Sequence, residues 1–392
     1  MNEECINLNY TFDTRFIKEN KDLFYKISKE NINTGKGNNT LMRLIINEKD
    51  FKDDRAKMCE FIKGPNSLSK HYNEEKNITI YLFGEHHLEE DSCNELSNNF
   101  LGIDDFLEQL MTKTNVFLDI YLEVGTDDLF YNKLPKKSKL YLLYNKLNPC
   151  INSKTRDNLE KCSLSRIHYG DIRDVTFMGK IRNSYYNMNL SINDILKYEN
   201  GYVLNVVDSF SKCKSKAEIS AFLEKDFTFN IRHRVFQKEI SKSPYGKEIV
   251  AFFRSIIVNE NLERYYKLYN RIVEISTNLM VDLKTLKANN YKPNSTFYIK
   301  VMKEMLDFLN LYISNLYYMM DIYLLCRIFK ESKYSKNKPS LQHNIIIYSG
   351  ENHSYNYRKF LDSINFKMEK YTDNLKPFKN CVNVKDFLPL FG

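Results

Sequence analysis

The sequence predicts an α/β protein in which a central, largely parallel sheet is flanked by helices and carries a large helical insertion or cap. Two apolar, β-branched runs of strand length, Ile78–Phe83 and Asn344–Tyr348, each lead into a glycine. A strand that is buried on both faces is continuously apolar, so both runs are predicted to lie inside the sheet. Strand-like and helical segments also alternate between residues 76 and 190, as parallel strands require.

The pattern divides the chain into four segments. They are a mixed, largely helical lead-in (1–75), a first half of the α/β core (76–190), a helical insertion or cap (191–340) and a second half of the core (341–392). The helical segment is predicted from apolar residues at i, i+3, i+4 and i+7, as in Leu262–Val273 and Ile299–Met320.

Within the core, the elements follow one another in a regular order. A helix is predicted from about Ile103 to Thr112, where two early aspartates suit the helix dipole. A second strand, Val116–Val124, ends just after Glu123, and a short strand covers Ser165–Arg173. A last strand is predicted around Val382–Val384.

Composition describes a globular protein. Of the 392 residues, 43% are hydrophobic and 28% charged. The 58 basic and 50 acidic residues are spread along the chain, so the net charge of +8 indicates a solvated mixed-charge surface and argues against nucleic acid as the partner. Leu306–Ile328 is strongly apolar, but its polar residues, Asp307 and Asp321 among them, argue against a membrane span. Nothing in the sequence predicts the oligomeric state.

Cysteine usage and the first residues predict a cytoplasmic location. The eight cysteines contain no Cys-x-x-Cys pair, which fits scattered reduced thiols. The acidic start, Met-Asn-Glu-Glu-Cys, lacks a charged-then-apolar signal segment. A bias towards Asn, Lys, Ile and Tyr is typical of AT-rich genomes such as those of large DNA viruses. The expected location is therefore the cytoplasm, or the host cytoplasm or virion if the gene is viral.

The two core strands end in the same motif, Gly-Glu-x-His. It occupies Gly84–His87 in the first case and Gly350–His353 in the second. Because ligands bind outside the carboxyl ends of parallel strands, both motifs are predicted to meet at one edge. His and Glu side chains there can bind a divalent metal or transfer protons. Each has a structural alternative, because a histidine can cap a helix and a glutamate is favoured in a first helical turn.

Other ionisable residues cluster at the same strand ends. Four of the seven histidines, namely His86, His87, His168 and His353, lie there. Glu123, Asp171 and Arg173 also end predicted strands, and either acid can instead form a structural pair with Arg173. His86 is interpreted as a surface residue rather than as an accessory ligand.

Asp321 and Arg327 lie on the long helix before the second motif. A buried aspartate needs a partner, although an ordinary helical ion pair is the alternative for these two residues. The sequence contains no Gly-x-Ser-x-Gly elbow, Walker A motif or His-Glu-x-x-His motif, so serine-hydrolase and P-loop chemistry are not indicated.

These motifs resemble the superfamily that joins erythromycin esterase-like enzymes, ChaN-like haem-binding lipoproteins and TraB/Tiki/GumN proteins. That group is marked by two Gly-x-x-His motifs with glutamates at intervening strand ends. Gly84–His87 and Gly350–His353 match both motifs, and Glu123 matches the glutamate after the following strand. His168–Arg173 is similar to the later acidic strand end, so the resemblance spans about residues 77–360.

The resemblance implies one catalytic cleft and a hydrolase acting on a peptide or an ester. Tiki-like members are metal-dependent proteases, whereas in esterase-like members a histidine activates water. The expected catalytic residues are His87, His353, Glu85 and Glu123; a divalent metal such as Mn, Co or Zn would be held by His87, His353, Glu85 and Glu351. Asp171, Arg173, His168, Asp321 and Arg327 would orient the substrate or support the carboxylates.

The chain departs from those relatives in its large Tyr/Met-rich helical region, its low glycine content and its lack of a signal segment or membrane anchor. Two other functional classes therefore stay open. One is a non-catalytic, virion-associated or interaction protein on an enzyme-like scaffold. The other is a basic nucleic-acid binder, which the dispersed charge argues against.

Overall fold

The protein is described by a computed structural model. It describes residues 61–86, 100–114, 116–125, 138–151, 162, 164–172, 202–260, 262, 266–267, 269–289, 295–312, 314–331, 342–373, 380–384, 386–387 and 390. Of the predicted site residues, His87 and Arg173 lie outside these ranges, as does most of the predicted lead-in.

The central element is a six-stranded, mostly parallel sheet flanked by helices. Its strands, in spatial order, are β6 (Ser165–Asp171), β5 (Leu118–Gly125), β7 (Asn344–Gly350), β3 (Ile78–Glu85), β2 (Ser67–Asn73) and β8 (Lys367–Asp373). This architecture confirms the predicted α/β fold class.

The two strands that end in Gly-Glu-x-His are immediate neighbours. β3 and β7 run parallel, with Gly84 opposite Ser349 and Glu85 opposite Gly350. β5 pairs in parallel with the other side of β7, where Leu122 lies opposite Tyr348. The strands that precede both motifs and the strand that carries Glu123 therefore end side by side at one edge.

Two antiparallel strands extend the sheet beyond the predicted parallel core. β2 pairs with β3 on one side and with β8 on the other. Residues 67–73, within the predicted mixed, largely helical lead-in, form β2. β2 consists mostly of polar residues and β8 is mostly exposed, so neither contains the continuous apolar run that identifies a buried strand.

A second, smaller sheet has three strands. β1 (Phe61–Lys63) lies in its centre, parallel to β4 (Phe100–Gly102) and antiparallel to β9 (Cys381–Asn383). β9 confirms the strand expected near Val382. Gly64 follows β1 with a φ of +121°, and a Cβ at this position would lie 2.7 Å from the side chain of Ile103, so glycine is required here.

Helices cover both faces of the large sheet. One face, which carries Phe83, Leu122 and Tyr348, forms the main core with α1 (Ile103–Lys113) and α2 (Lys139–Ile151). The helix α10 (Glu351–Ser363) follows β7 directly and contacts β3, β7 and β8. Its Glu351 contacts Ser67, which lies opposite Gly84 on the face away from that core.

The chain forms two compact units. The first contains the sheets and comprises Met1–Val124, Asp128–Gly170 and Ile328–Gly392; the second comprises Gly125–Asp127 and Asp171–Arg327. The described elements of the second unit are helical. They are α3 (Tyr202–Lys212), α4 (Lys216–Ile231), α5 (Arg234–Ile240), α6 (Gly246–Ser255), a π-helix (Ile256–Glu260), α7 (Tyr269–Asn289), α8 (Thr296–Tyr312) and α9 (Ser314–Phe329), whose last two residues belong to the first unit.

Cysteine pairing differs from the prediction of scattered reduced thiols. Cys150 at the end of α2 forms a disulfide with Cys162, with Cα atoms 5.2 Å apart, and Cys381 is also disulfide-bonded. Cys213 and Cys326 are buried and belong to no disulfide. Sequence spacing could not reveal the pair, because disulfide formation depends on Cα distances set by tertiary packing.

The apolar run Leu306–Ile328 is divided between α8 and α9. No helix among the described residues combines the length and the apolar character that crossing a bilayer would need.

Candidate functional site

The carboxyl edge of the parallel strands brings Glu123 and His353 together. Oε2 of Glu123 accepts a hydrogen bond from the Gly350 backbone N–H at 2.6 Å. Its Oε1 lies 3.4 Å from Nε2 of His353, in the first turn of α10. Both side chains are buried, with 2% and 7% of their surfaces exposed. The carboxylate thus connects the end of β7 to an imidazole two residues inside the next helix.

Glu85 leaves the same edge from the opposite face of the sheet. The register places Glu85 on the face of Tyr348, whereas Glu123 follows Leu122 and points to the other side. The Tyr348 hydroxyl donates a hydrogen bond to Oε2 of Glu85. Burial, and after it the negative charge of Glu85, raises the pKa of Tyr348 well above its usual value. The phenol therefore remains protonated and keeps donating to Glu85.

Glu351 belongs to a third set of contacts, above Gly84. The Ser67 hydroxyl donates to Oε2 of Glu351, and Arg358, two turns further along α10, pairs with Oε1. Arg358 also donates to Oγ of Ser67 at 3.3 Å. The Glu351 carboxylate lies directly over Gly84, where an added Cβ would approach Oε2 to 1.9 Å and Ser67 Oγ to 2.6 Å. Gly84, the glycine of the first motif, is therefore required for this close approach.

We expect Gly84→Ala to destabilise the protein by about 1–3 kcal/mol, because the new methyl group overpacks the site and displaces the Glu351 carboxylate from Ser67 and Arg358. Urea unfolding of the variant measures this loss as a lower midpoint at unchanged slope.

The double variant Gly84→Ala/Glu351→Ala is the matched control for overpacking. With the carboxylate removed, the added methyl group has space, so the double variant should be about as stable as Glu351→Ala alone. Two losses that simply add would contradict the proposed clash between position 84 and Glu351.

The remaining predicted residues of the first unit, His86 and His168, contact other partners. His86 is exposed, and its Nε2 lies 3.1 Å from Nδ2 of Asn66. His168 is directed at Asp119, with Nε2 2.8 Å from Oδ1, and stacks on Tyr121 with ring centroids 4.3 Å apart. Asp119 precedes Glu123 by four residues on the same strand, about 13 Å at the usual rise. The contacts of His168 are therefore with the amino-terminal half of β5.

The Asp119 network is a buried ion-pair cluster. Arg166 donates to Asp119 from Nε at 2.5 Å and from Nη2 at 3.0 Å. Burial alone would raise the pKa of Asp119, but the hydrogen bond from His168 and the charge and hydrogen bond of Arg166 outweigh burial and hold the pKa below its usual value. The carboxylate of Asp119 is thus ionised and stabilises the pairing of β5 with β6.

The three other predicted residues belong to the helical unit. Asp171 is buried at the end of β6, and Asp321 is fully buried in α9. Arg327 donates from Nη1 to the Tyr323 hydroxyl at 2.7 Å, one turn earlier on the same helix.

The described residues do not form a metal centre. No group of three or more His, Cys, Asp or Glu side chains among them is arranged to hold an ion. Of the expected ligands, Glu351 is bound by Ser67 and Arg358, and Glu85 accepts from Tyr348. His87 lies outside the described residues. The donor set that remains, His353 with Glu123, fits proton transfer better than the coordination of a cation.

Several residues around this edge were not predicted from the sequence. Tyr348 binds Glu85, and Ser67 and Arg358 bind Glu351, yet none of the three belongs to the motif. Arg358 follows Glu351 by seven residues, a spacing that puts both on one helix face. That spacing was the one available indication, whereas the position of Ser67 depends on the antiparallel pairing of β2 with β3.

Comparison with known proteins does not extend these observations. No protein-family model, curated protein or solved structure matches the chain. The geometry of the carboxyl edge is therefore the basis of the functional argument.

Proposed function

We propose that the protein is a hydrolase in which His353 acts as general base and Glu123 holds its imidazole. One observation carries this proposal: a buried carboxylate connects the Gly350 amide to the His353 ring at the carboxyl edge of a parallel sheet. Ligands of open α/β sheets bind at this edge. The proposed substrate is a peptide or an ester, as the sequence motifs suggest.

The pairing of acid and imidazole suits water activation. A carboxylate beside a histidine fixes the ring orientation and stabilises the imidazolium that forms when the ring takes a proton. The Gly350 backbone N–H fixes the Glu123 carboxylate in turn. Because this donor belongs to the backbone, the position of the carboxylate does not depend on the rotamer of a partner side chain. His353 takes a proton from the water that attacks the carbonyl and gives it to the alcohol or amine that leaves when the ester or peptide bond breaks, while the carboxylate retains its charge.

A metal-assisted form of the same hydrolysis is the second version of the proposal. It would need His87 beside His353 to complete a ligand set with a glutamate. Elemental analysis of purified protein, followed by assay after dialysis against a chelator, separates the two versions. Activity that survives chelation supports the histidine–carboxylate mechanism, and activity that returns only with Mn, Co or Zn supports the metal.

We expect His353→Ala to lose hydrolysis of chromogenic esters or fluorogenic peptides by about 100-fold or more, because general-base catalysis contributes factors of this size. His343→Gln is the matched control. His343 precedes the same strand and binds the Asn77 carbonyl at 3.0 Å at the opposite edge of the sheet. Its replacement should leave the catalytic rate unchanged.

Thermal unfolding accompanies both assays and shows that each variant is folded. A folded His353→Ala variant with the activity of the parent protein would exclude the mechanism. Equal loss in both variants would indicate damage to the sheet rather than to a catalytic group.

A non-catalytic interaction protein is the second candidate, and specific contacts favour it. The Glu351 carboxylate is engaged by Arg358 and Ser67, and Glu85 is engaged by Tyr348. Ion pairs and hydrogen bonds of this kind are what an inactive, structural edge would contain. No turnover of any ester or peptide by the folded parent protein, with or without added metal, would favour this candidate.

A further inference from the structure

A series of exposed cations follows the chain of the helical unit from the last turns of α4 to the residues just after α5. It consists of Lys225, Arg232, Arg234, Lys238 and Lys242, and we call these five residues the basic strip. All five side chains are exposed. None has an ion-pair partner among the residues that the structure describes.

The acidic residues of this stretch do not neutralise the strip. Residues 225–242 include two acids, Asp226 and Glu239, and both are buried. Asn230 donates to Asp226 at 3.0 Å. The charge of Glu239 acts on the buried Cys326 thiol, where it adds to the effect of burial in raising the pKa of Cys326. The exposed surface of this stretch therefore carries more net positive charge than the sequence alone indicates, because both acidic side chains are buried.

An exposed aromatic ring lies within the strip. Lys225, Phe229 and Arg232 are spaced i, i+4 and i+7 on α4, so they share one face. Phe229 has 49% of its surface exposed, whereas Leu223 and Phe227 of the same helix are buried. An apolar ring between two cations is the arrangement on which nucleic-acid bases stack while phosphates contact the charges.

Two positions have an ordinary structural role as well. Arg232 caps the carboxyl end of α4, and Lys238 lies in the last turn of α5. A positive charge at the carboxyl end of a helix interacts favourably with the helix dipole. This role does not explain Lys225, Arg234 or Lys242. The other two acids of α4 precede Lys225: Glu224 pairs with Arg254, and Glu218 lies in the first turn of the helix.

We propose that the basic strip binds single-stranded nucleic acid, with the cations on phosphates and Phe229 against a base. Charge complementarity selects a polyanion, and the exposed ring selects single strands, because the bases of a duplex are already stacked. The inference is independent of the hydrolase proposal, since all of its residues belong to the helical unit. It departs from the sequence-based expectation that nucleic acid is not the partner.

The test measures fluorescence anisotropy of the full chain with a labelled 20-nucleotide oligothymidine, over a series of salt concentrations. The parent protein should bind with an affinity that falls steeply with salt. Each phosphate contact contributes about −0.7 to the slope of log K against log salt. The triple variant Arg234→Gln/Lys238→Gln/Lys242→Gln should bind at least about tenfold more weakly at low salt, with a slope flatter by about 2.

The matched control is Arg271→Gln/Lys284→Gln/Lys303→Gln. These three cations are exposed on α7 and α8 of the same unit, and their removal changes the net charge by the same amount. This variant should bind like the parent protein. Equal weakening in both variants would show a general charge effect and would overturn the assignment to the strip.

Phe229→Leu tests the ring separately. It keeps an apolar side chain but removes the stacking face, so affinity for the single strand should fall about fivefold or more at unchanged salt slope. A 20-base-pair duplex and vesicles of phosphatidylserine and phosphatidylcholine complete the set. Three outcomes would each overturn the proposal. The protein binds the duplex as tightly as the single strand, it binds the vesicles but not the oligonucleotide, or it binds none of these probes.

Discussion

Replacing Glu123 with alanine should cost about 3 kcal/mol of folding free energy and abolish hydrolysis. The Gly350 N–H would lose its acceptor at 2.6 Å, and His353 would lose the carboxylate 3.4 Å away. Both groups are buried, and a buried polar group without its partner costs more than the hydrogen bond contributed. Urea unfolding measures the loss of stability, and the ester and peptide assays measure the loss of turnover.

Glu123→Gln separates the two effects. The amide oxygen can still accept from Gly350, so stability should fall by only about 1 kcal/mol, but the negative charge beside His353 is gone. Activity should therefore fall as far as in Glu123→Ala. A glutamine variant with full activity would leave Glu123 with a structural role alone and would remove the observation that carries the proposed function.

Acidification should destabilise the protein through His71. This residue of β2 is 1% exposed; its Nε2 contacts Oγ of Ser69 at 3.0 Å, and its Nδ1 has no hydrogen-bond partner among the described residues. Burial, and after it the positive charge of Arg358, lowers the pKa of His71 from 6.5 to about 4. The unfolded chain takes up this proton near pH 6.5, whereas the folded protein takes it up only near pH 4.

The direction of the effect follows from the difference in bound protons. Between these two values the unfolded state binds more protons, so stability falls as the pH falls from about 6.5 to about 4 and is not reduced further by this group below that. The full effect is on the order of 3 kcal/mol. Unfolding free energies of the parent protein and His71→Gln, measured from pH 7.5 to pH 4, should differ in slope over this window. If the unfolding free energies of the two proteins changed in parallel with pH, the proposed effect of His71 would be contradicted.

The fold was largely accessible from the sequence because buried parallel strands have a distinctive composition. The runs that became β3 and β7 are almost continuously apolar, β5 is apolar apart from Asp119 and Glu123, and each was predicted to within a few residues. β2 and β8 were missed, since β2 is buried but mostly polar in sequence and β8 is mostly exposed, so neither contains the apolar run that marks a strand. Their pairing partners are distant in sequence, so no local pattern could place them.

The candidate site was accessible only in part. The motif identified Glu85, Glu351 and His353 and the strand edge that carries them. It could not show that Glu85 and Glu123 leave the sheet on opposite faces, because that depends on the register of β7 with both neighbours. Nor could it show that Ser67 binds Glu351, since that contact joins segments 284 residues apart. The contact of Arg358 with Glu351 spans seven residues of one helix, a spacing that indicates a shared face but not an ion pair.

What the sequence alone determined is the class of fold and the edge at which the chemistry-bearing residues collect, because apolar strand composition and a glycine ending are local properties. What only the tertiary structure decided is the partner of each ionisable group. Glu123 adjoins His353, Glu351 binds Arg358, and Glu239 is turned inward beneath a cationic surface. Charge is a property of the residue, whereas pairing and burial depend on register and packing between distant segments.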